Sequence, residues 1–414
     1  MTLASLEEMR SGDWSTKTSL RSAPLEHTLS LLQSSMSAFG ATRVTDTTRL
    51  DVIGLPVFAA IRPRAGAGSI SVSSGKSLDV AAARVGALAE AFELHSAGYV
   101  PGQSNLIRLR YEDYREGCGY SPWRLPFRAS QLSLVRKGSP LGEFTFVPCE
   151  LLDDPAPSLL PAVLVYFPYH PDLGVDLHGM STNGLASGNC PDEAVLHALL
   201  EVIERDVISF VTLGAETRKV DAVECPDVQM VIEAVERGGC RLELLFAPNQ
   251  FGLPTFAAYL FDGGADVPIF VGHGTHVSAS IAALRACTEA VQSRLTHIHG
   301  ARDDVIEYHR RWRGMSCEGR QQVAEGLNAR IRRAEPIRYG EIIDADPSSS
   351  ITAALEVTKG ALRRNGFKHI CVFRYPEIVK GMHAVRVVVP GLEFYTSNRM
   401  RVGERLLAYV RSRA

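Results

Sequence analysis

The chain has 414 residues, 45% of them hydrophobic and 22% charged, with a formal net charge of −2. That length holds one large domain or two to three ordinary ones, and the composition is that of a globular protein. The near-neutral charge argues against a surface built for nucleic acid or anionic membrane, and no apolar run approaches the ~18–20 residues of a membrane span. The N-terminus, MTLASLEEMRSGD, lacks the apolar stretch of a signal peptide. The expectation is a cytoplasmic protein with neither a membrane nor a nucleic-acid partner. Eight cysteines contain no CxxC pair, so reduced thiols are expected rather than a metal or redox motif.

In chain order, residues 1 to about 25 are polar and read as loosely ordered. Leu25 to Phe39 suits an amphipathic helix, and residues 1–40 are set apart as an N-terminal segment containing it. TRVTDTT, LPVFAAIRP and SISVSS read as strands, followed by a long apolar helix from about Asp79 to Ala97. FTFVPCELL and AVLVYFPY read as strands, and a second long helix runs from about Pro191 to Leu213. CRLELLFAP, PTFAAYLFD and PIFVGHGTHVS are strands, the last leading into a third helix from about Ser280 to Thr296. DDVIEYHRRWRGM and GRQQVAEGLNARIRRAEP are charged helical segments, and HICVFRY and AVRVVVPG are late strands. Strands and helices interleave throughout, which gives an α/β (α+β) class with mixed sheets, and residues 41–414 read as one large catalytic domain.

The stretch GSISVSSGKS (Gly68–Ser77) imitates a phosphate-binding loop. That loop needs a glycine, four residues, then Gly-Lys-Ser/Thr, so that backbone N–H groups wrap the phosphates. Ile70 holds the first-glycine position and Gly68 comes two residues too early. The stretch therefore reads as a strand-to-helix turn with Ser77 as N-cap.

The three long helices repeat one pattern: ALAEAFEL (Ala87–Leu94), ALLEVIER (Ala198–Arg205) and ACTEAVQS (Ala286–Ser293). Gly75 precedes Glu90 by fifteen residues, as Gly274 precedes Glu289, which marks a repeated strand–turn–helix unit. The helices are apolar nearly all round, the signature of burial. Yet Glu193, His197, Glu201 and Glu204 form one stripe on the second helix, and Glu90 and Glu93 lie a turn apart on the first. Buried unpaired carboxylates cost several kcal/mol each, so positive charge must face them. Two arrangements supply it. One is a structural ion-pair network with lysines and arginines. The other is a set of divalent cations, where all-oxygen ligands suit Mg²⁺, which in turn accompanies phosphates. Arg205, Arg285 and Lys76 stand close enough in sequence for either.

These residues resemble the YcaO superfamily, whose ATP site is described by three patterns. Asn-x3-Glu-x7-Glu-x2-Glu-Arg is matched in full by Asn189, Glu193, Glu201, Glu204 and Arg205, and Arg-x3-Glu by Arg285 and Glu289. Ser-x3-Glu-x2-Glu-Arg is matched at Glu90 and Glu93, with Gly86 in place of Ser and Leu94 in place of Arg. The resemblance covers roughly residues 40 to 400 and implies three strand–turn–helix units around a non-P-loop site for ATP and Mg²⁺. By this resemblance Glu90, Glu93, Glu201 and Glu204 are Mg²⁺ ligands. Arg205 and Arg285 offset phosphate charge, Asn189, Glu193 and Glu289 complete the nucleotide site, and Lys76 reaches a phosphate. Cys190, His197, His297 and His299 lie outside the patterns and are read as packing, structural or surface residues.

The resemblance also implies an activity: ATP-dependent phosphorylation of a backbone amide oxygen in a ribosomally made precursor peptide. A side-chain nucleophile then gives an azoline, a sulfide source a thioamide, and an amine an amidine. Phosphorylation turns the amide oxygen into a leaving group, so the protein's task is positioning and charge neutralisation. Azoline-forming members carry a PxPxP tail, which VGERLLAYVRSRA lacks. The expected branch is therefore thioamide formation with a TfuA-like partner, in a homodimer. Azoline or amidine formation and an inactive peptide-presenting scaffold are the alternatives.

Overall fold

The computed structural model describes residues 14–16, 19–102, 105–115, 123–132, 144–221, 223–264, 267–302, 305, 310, 312–346, 350–395 and 401–413. Two compact units divide it. Met1–Ala65, Ile70–Ala91 and Glu216–Val357 make the first, and Gly66–Ser69, Phe92–Ala215 and Thr358–Ala414 the second.

The first unit opens with a hairpin, β1 (Trp14–Thr16) and β2 (Ser19–Arg21), then α1 (Leu25–Ser34). β3 (Arg43–Asp46), β4 (Val57–Ile61) and β5 (Val72–Lys76) form an antiparallel three-stranded sheet leading into α2 (Val80–Ser96). A five-stranded sheet contains β10 (Arg218–Asp221), β11 (Arg241–Phe246), β12 (Thr255–Phe261), β13 (Ile269–Thr275) and β14 (Pro336–Arg338), in the order β13-β12-β11-β10-β14. Its pairs are antiparallel except β10–β14. α6 (Pro226–Arg237), α7 (Ala279–His299), α8 (Cys317–Arg333) and the start of α9 (Ile351–Arg364) complete the unit. Its core joins Val228, Val231 and Val235 of α6 to Phe256 and Leu260 of β12 and to the alanines of α7.

The second unit holds β6 (Ile107–Leu109), β7 (Phe144–Leu151), β8 (Asp154–Pro161), β9 (Leu185–Gly188), β15 (Cys371–Arg374) and β16 (His383–Val388). They run in the order β6-β7-β15-β16-β9, with β8 on β7, and every pair is antiparallel. α3 (Tyr111–Arg115), α4 (Ala162–Val165), α5 (Pro191–Thr212) and α10 (Glu404–Arg411) accompany the sheet, α5 packing on β9 and β16.

Each of the three glutamate helices lies flush against a strand because the strand carries glycine. A Cβ on Gly75 of β5 would stand 2.1 Å from Ala83 O and 2.2 Å from Ala87 N of α2. On Gly274 of β13 it would stand 2.0 Å from Ala282 O of α7, and on Gly188 of β9 2.7 Å from Ala194 N of α5. Glycine normally weakens a strand, and here it admits a helix backbone that no other residue allows. Alanine and glycine on the helix side (Ala83, Gly86, Ala87; Ala282, Ala286) complete the close approach.

Several expectations are corrected. Gly75 and Gly274 are strand residues, not turn residues, and Lys76 ends β5 rather than lying in the following turn. Asp79, not Ser77, caps α2: its Oδ1 accepts from Ala82 N at 2.8 Å, while Ser77 Oγ accepts from Asp79 N at 3.2 Å. The first helix breaks after Ser34 into a 3-10 turn, Met36–Phe39, closed by left-handed Gly40 (φ 72°). AVLVYFPY holds the single-turn α4 instead of a strand, its Ala162, Val163 and Val165 buried so that packing overrides β propensity. β8 escaped notice because Pro155, Pro157 and Pro161 disguise it; its ladder runs along β7, where an edge position tolerates proline. The hairpin β1–β2 also went unread. Most of DDVIEYHRRWRGM lies outside the described residues.

Gly274→Ala is expected to lower stability by about 2–3 kcal/mol or more, because the new methyl meets backbone that cannot yield locally. Gly326→Ala, on α8 with nothing within 4 Å of the added carbon, is expected to gain about 0.5–1 kcal/mol. Urea unfolding of the two variants beside the parent chain checks both.

Candidate active site

In the first unit, β5 brings two of the acidic helices to one strand. Ser74 N donates to Glu90 Oε2 of α2 at 2.7 Å, and Lys76 Nζ lies 3.2 Å from Glu289 Oε2 of α7. Ser74 and Lys76 stand two residues apart on β5, roughly 7 Å along the strand. Arg302 Nη1 stands 3.7 Å from Glu90 Oε1, and Arg285 precedes Glu289 by one turn of α7. Arg62 is buried, donates through Nη2 to Ile70 O at 2.8 Å, and has its pKa lowered by burial against the opposing pull of Glu90.

The N-terminus of α7 is fixed by Asp344, whose Oδ1 accepts from Ala279 N at 2.6 Å. His276, just before it, is 2% exposed, and its Nδ1 accepts from Ser278 N at 3.1 Å, which leaves the proton of the neutral ring on Nε2. Burial, and then the charges of Arg285 and Arg21, push its pKa down from 6.5 to about 3. The ring is neutral here.

In the second unit, α5 runs unbroken from Pro191 to Thr212, so Glu193, His197, Glu201 and Glu204 do share one stripe. Proline at its first position and Asp192 and Glu193 in its first turn suit a helix start. Cys190 is its N-cap residue, and Glu193, buried, reaches back to accept from Asn189 N at 3.3 Å. Glu204 is buried, with Arg205 Nη2 3.9 Å from its Oε1, while Glu201 is half-buried. Glu93, on the last turns of α2, accepts from Ser187 Oγ of β9 at 2.7 Å. The loop into β9 is held by Arg386 of β16, a fully buried guanidinium that donates to Ser181 O at 3.0 Å and Asn183 O at 2.9 Å.

The far side of α5 is tied down as well. Asp206, roughly 200° around the helix from Glu204, accepts from Glu393 N at 2.6 Å and from Arg405 Nη1 at 2.5 Å. Burial pushes its pKa up to about 6 against the pull of Arg405. Glu393 in turn accepts from Gly403 N at 2.7 Å and Leu406 N at 3.0 Å, capping α10.

Sequence reasoning singled out the glutamates but not Ser74, Ser187 and Arg302, which the fold sets beside Glu90 and Glu93. A backbone N–H, a strand serine and an arginine beyond a helix end carry no signal by type or spacing. His297 is structural: Nδ1 lies 2.7 Å from Ser293 O of its own helix and the ring packs on Phe270. Leu94, where the family pattern has arginine, is buried.

The donor sets of the two units differ in sign. The first has Lys76, Arg285 and Arg302 against Glu90 and Glu289, a surplus of positive charge suited to an anion. The second has Glu93, Glu193, Glu201 and Glu204 against Arg205, a surplus of carboxylate suited to a hard cation. Among the described residues no three acidic, histidine or cysteine side chains gather closely enough to cage a metal by themselves. Mg²⁺ fits such a set, since it takes one or two carboxylates and completes its shell with phosphate and water.

A mixed α/β protein with carboxylate-lined helices and no glycine cradle has the makings of a metal-assisted, non-P-loop nucleotide-binding protein. A family model described as YcaO cyclodehydratase, ATP- and Mg²⁺-binding, matches residues 74–393, and the chain belongs to the YcaO family. It is 34% identical to a protein of Methanothermobacter thermautotrophicus, over 92% of this chain and 96% of that one. It is 31% identical to a protein encoded in the tfuA 3′ region of Rhizobium leguminosarum bv. trifolii, over 93% and 91%. Among solved structures, the YcaO of Methanopyrus kandleri bound with AMPPCP and Mg²⁺ shares the fold with a TM-score of 0.74 at 19% identity, covering 94% of this chain and 97% of that one. The Escherichia coli microcin synthetase McbBCD complex with pro-MccB17 bound gives 0.62 at 15% identity, covering 86% and 90%.

Because the folded-state pKa of His276 lies below its unfolded value, its contribution to stability is present above about pH 6.5 and is lost as the pH falls toward 3. The expected slope is about 1.4 kcal/mol per pH unit between roughly pH 6 and 4. His276→Asn keeps an acceptor for Ser278 N and carries no titrating ring. Urea unfolding across that range is expected to show a shallower slope for the variant by that amount.

Proposed function

We propose that the chain is an ATP- and Mg²⁺-dependent enzyme that activates a backbone amide of a ribosomally made precursor peptide for thioamide formation. The observation that carries this is the complete five-residue pattern, with Glu193, Glu201, Glu204 and Arg205 on one uninterrupted helix and Asn189 just before its N-cap. In this reading Glu90, Glu93, Glu201 and Glu204 hold Mg²⁺, and Lys76, Arg205 and Arg285 neutralise phosphate. Asn189, Glu193 and Glu289 complete the nucleotide site, Glu193 also securing the helix start and Glu289 holding Lys76.

ATP, when bound, supplies the phosphoryl group that converts the amide oxygen into a leaving group. The chain's own work is to orient and to offset charge: half-buried cations and carboxylates strengthen each contact by excluding part of the water. The thioamide branch, with a TfuA-like partner, is supported by the relative encoded in the tfuA 3′ region. The second reading, azoline formation, is favoured by the likeness to a heterocyclase in complex with substrate and cofactor, TM-score 0.73 at 19% identity. An idle scaffold is disfavoured by so many charges kept within helices that are otherwise apolar. In this reading the enzyme works as a homodimer.

Glu201→Gln, which keeps the shape of the side chain and removes its charge, is expected to abolish Mg²⁺-dependent ATP turnover while the melting temperature holds. Turnover at the parent rate would sink the metal role. Incubation with ATP, a sulfide source and the peptide encoded beside the gene separates the branches by mass. Sulfur in place of oxygen marks a thioamide, and loss of one water marks an azoline or amidine.

A further inference from the structure

One guanidinium at the carboxylates belongs to none of the three helix patterns. α7 ends at His299 on left-handed Gly300 (φ 66°), which turns the chain, and Arg302 follows at once. Its Nη1 lies 3.7 Å from Glu90 Oε1, with the Arg302 side chain 19% and that of Glu90 29% exposed. Lys76 and Glu289 are 22% and 29% exposed at 3.2 Å. Each carboxylate that meets β5 thus already has a partly buried cation. At 3.7 Å the Arg302–Glu90 contact is longer than a hydrogen bond, so it holds the guanidinium loosely and the fold gains little from placing it there.

A carboxylate that takes a metal ion must release the cation it held. Arg302 remains tethered two residues beyond Gly300, and Arg62 adds a second, buried positive charge behind Glu90. A metal at Glu90 would repel both. The displaced guanidinium needs an anion in reach, and its planar fork matches phosphate oxygens in pairs. At the place where the family pattern has an arginine, α2 carries the buried, apolar Leu94.

We infer that Arg302 is a polyphosphate-binding residue of the nucleotide site, held on Glu90 until nucleotide and metal arrive. The inference rests on the ATP and Mg²⁺ reading above.

The test is calorimetric titration of the full chain with Mg²⁺ and β,γ-methylene ATP, together with melting of the ligand-free protein. Arg302→Met is expected to weaken binding about 10- to 100-fold, the worth of a charged hydrogen-bonding contact. Arg302→Lys is expected to recover part of it, keeping the charge and losing the fork. Both variants should melt close to the parent chain. If Arg302 serves only to neutralise Glu90, its removal frees a carboxylate for the metal, and binding is unchanged or tighter; that result overturns the inference. Should the Met variant not fold, the Lys variant decides: parent-like affinity and a parent-like response to salt overturn the inference, and weakened affinity supports it. A parent chain that does not bind the probe overturns the ATP reading itself, a result distinct from a parent chain that binds and a variant that binds equally.

Discussion

No Cβ fits between β5 and α2, or between β13 and α7. That steric constraint underlies the arrangement of charge in the first unit. With glycine on the strand and alanine or glycine on the helix, the two backbones come within van der Waals contact. A glutamate on the helix flank then reaches the strand without leaving its helix. Glu90 takes a backbone N–H of β5 in this way, and Glu289 takes the ammonium at the end of the same strand. With a bulkier residue at position 75 the helix would stand off β5 and Glu90 would lose the Ser74 amide. The glycines give up strand propensity, and the site gains fixed positions for its acids.

Electrostatics divides the candidate site residues further. The carboxylates of the first unit are matched or outnumbered by lysine and arginine, whereas α5 presents three glutamates with one arginine alongside. Burial matters in both sets: the charges of the first are partly exposed, while Glu193 and Glu204 of the second are buried with a donor or a cation beside them. Full exposure would screen the charges, and full burial without partners would make each of them cost several kcal/mol. Neutral His276 beside the start of α7 adds no charge of its own to the cationic set. Asp206, Ser209 and Arg405 hold α5 from the opposite side, so the helix is braced by groups that need not take part in chemistry.

Much of this was legible in the sequence, and the limits have physical causes. The long helices were found to within a few residues because their apolar content, acidic stripes and flanking strands agree with one another. The mixed α/β class followed from the interleaving. The role of Gly75 and Gly274 was misjudged because a glycine before a helix reads as a turn, while its use as a strand residue depends on what packs over it. AVLVYFPY has the composition of a strand, yet its first four residues form a helical turn with Ala162, Val163 and Val165 buried, a distinction local sequence does not encode. β8 was hidden by prolines. Ser187 and Arg302 act through proximity created by folding, so neither spacing nor residue type announces them.

Gly86 has a consequence for how this chain can change. A side chain there would bring its Cβ to 3.2 Å from Gly75 Cα and 3.8 Å from Lys76 N. Position 86 is therefore not an independent site in sequence space but half of a pair with the strand opposite. The serine that the family pattern has at this place is accessible only along a route in which β5 first gives way by a few tenths of an ångström. That displacement would carry the Ser74 amide and the Lys76 ammonium with it. The order of substitutions then matters: the same serine is tolerated after such a shift and disruptive before it.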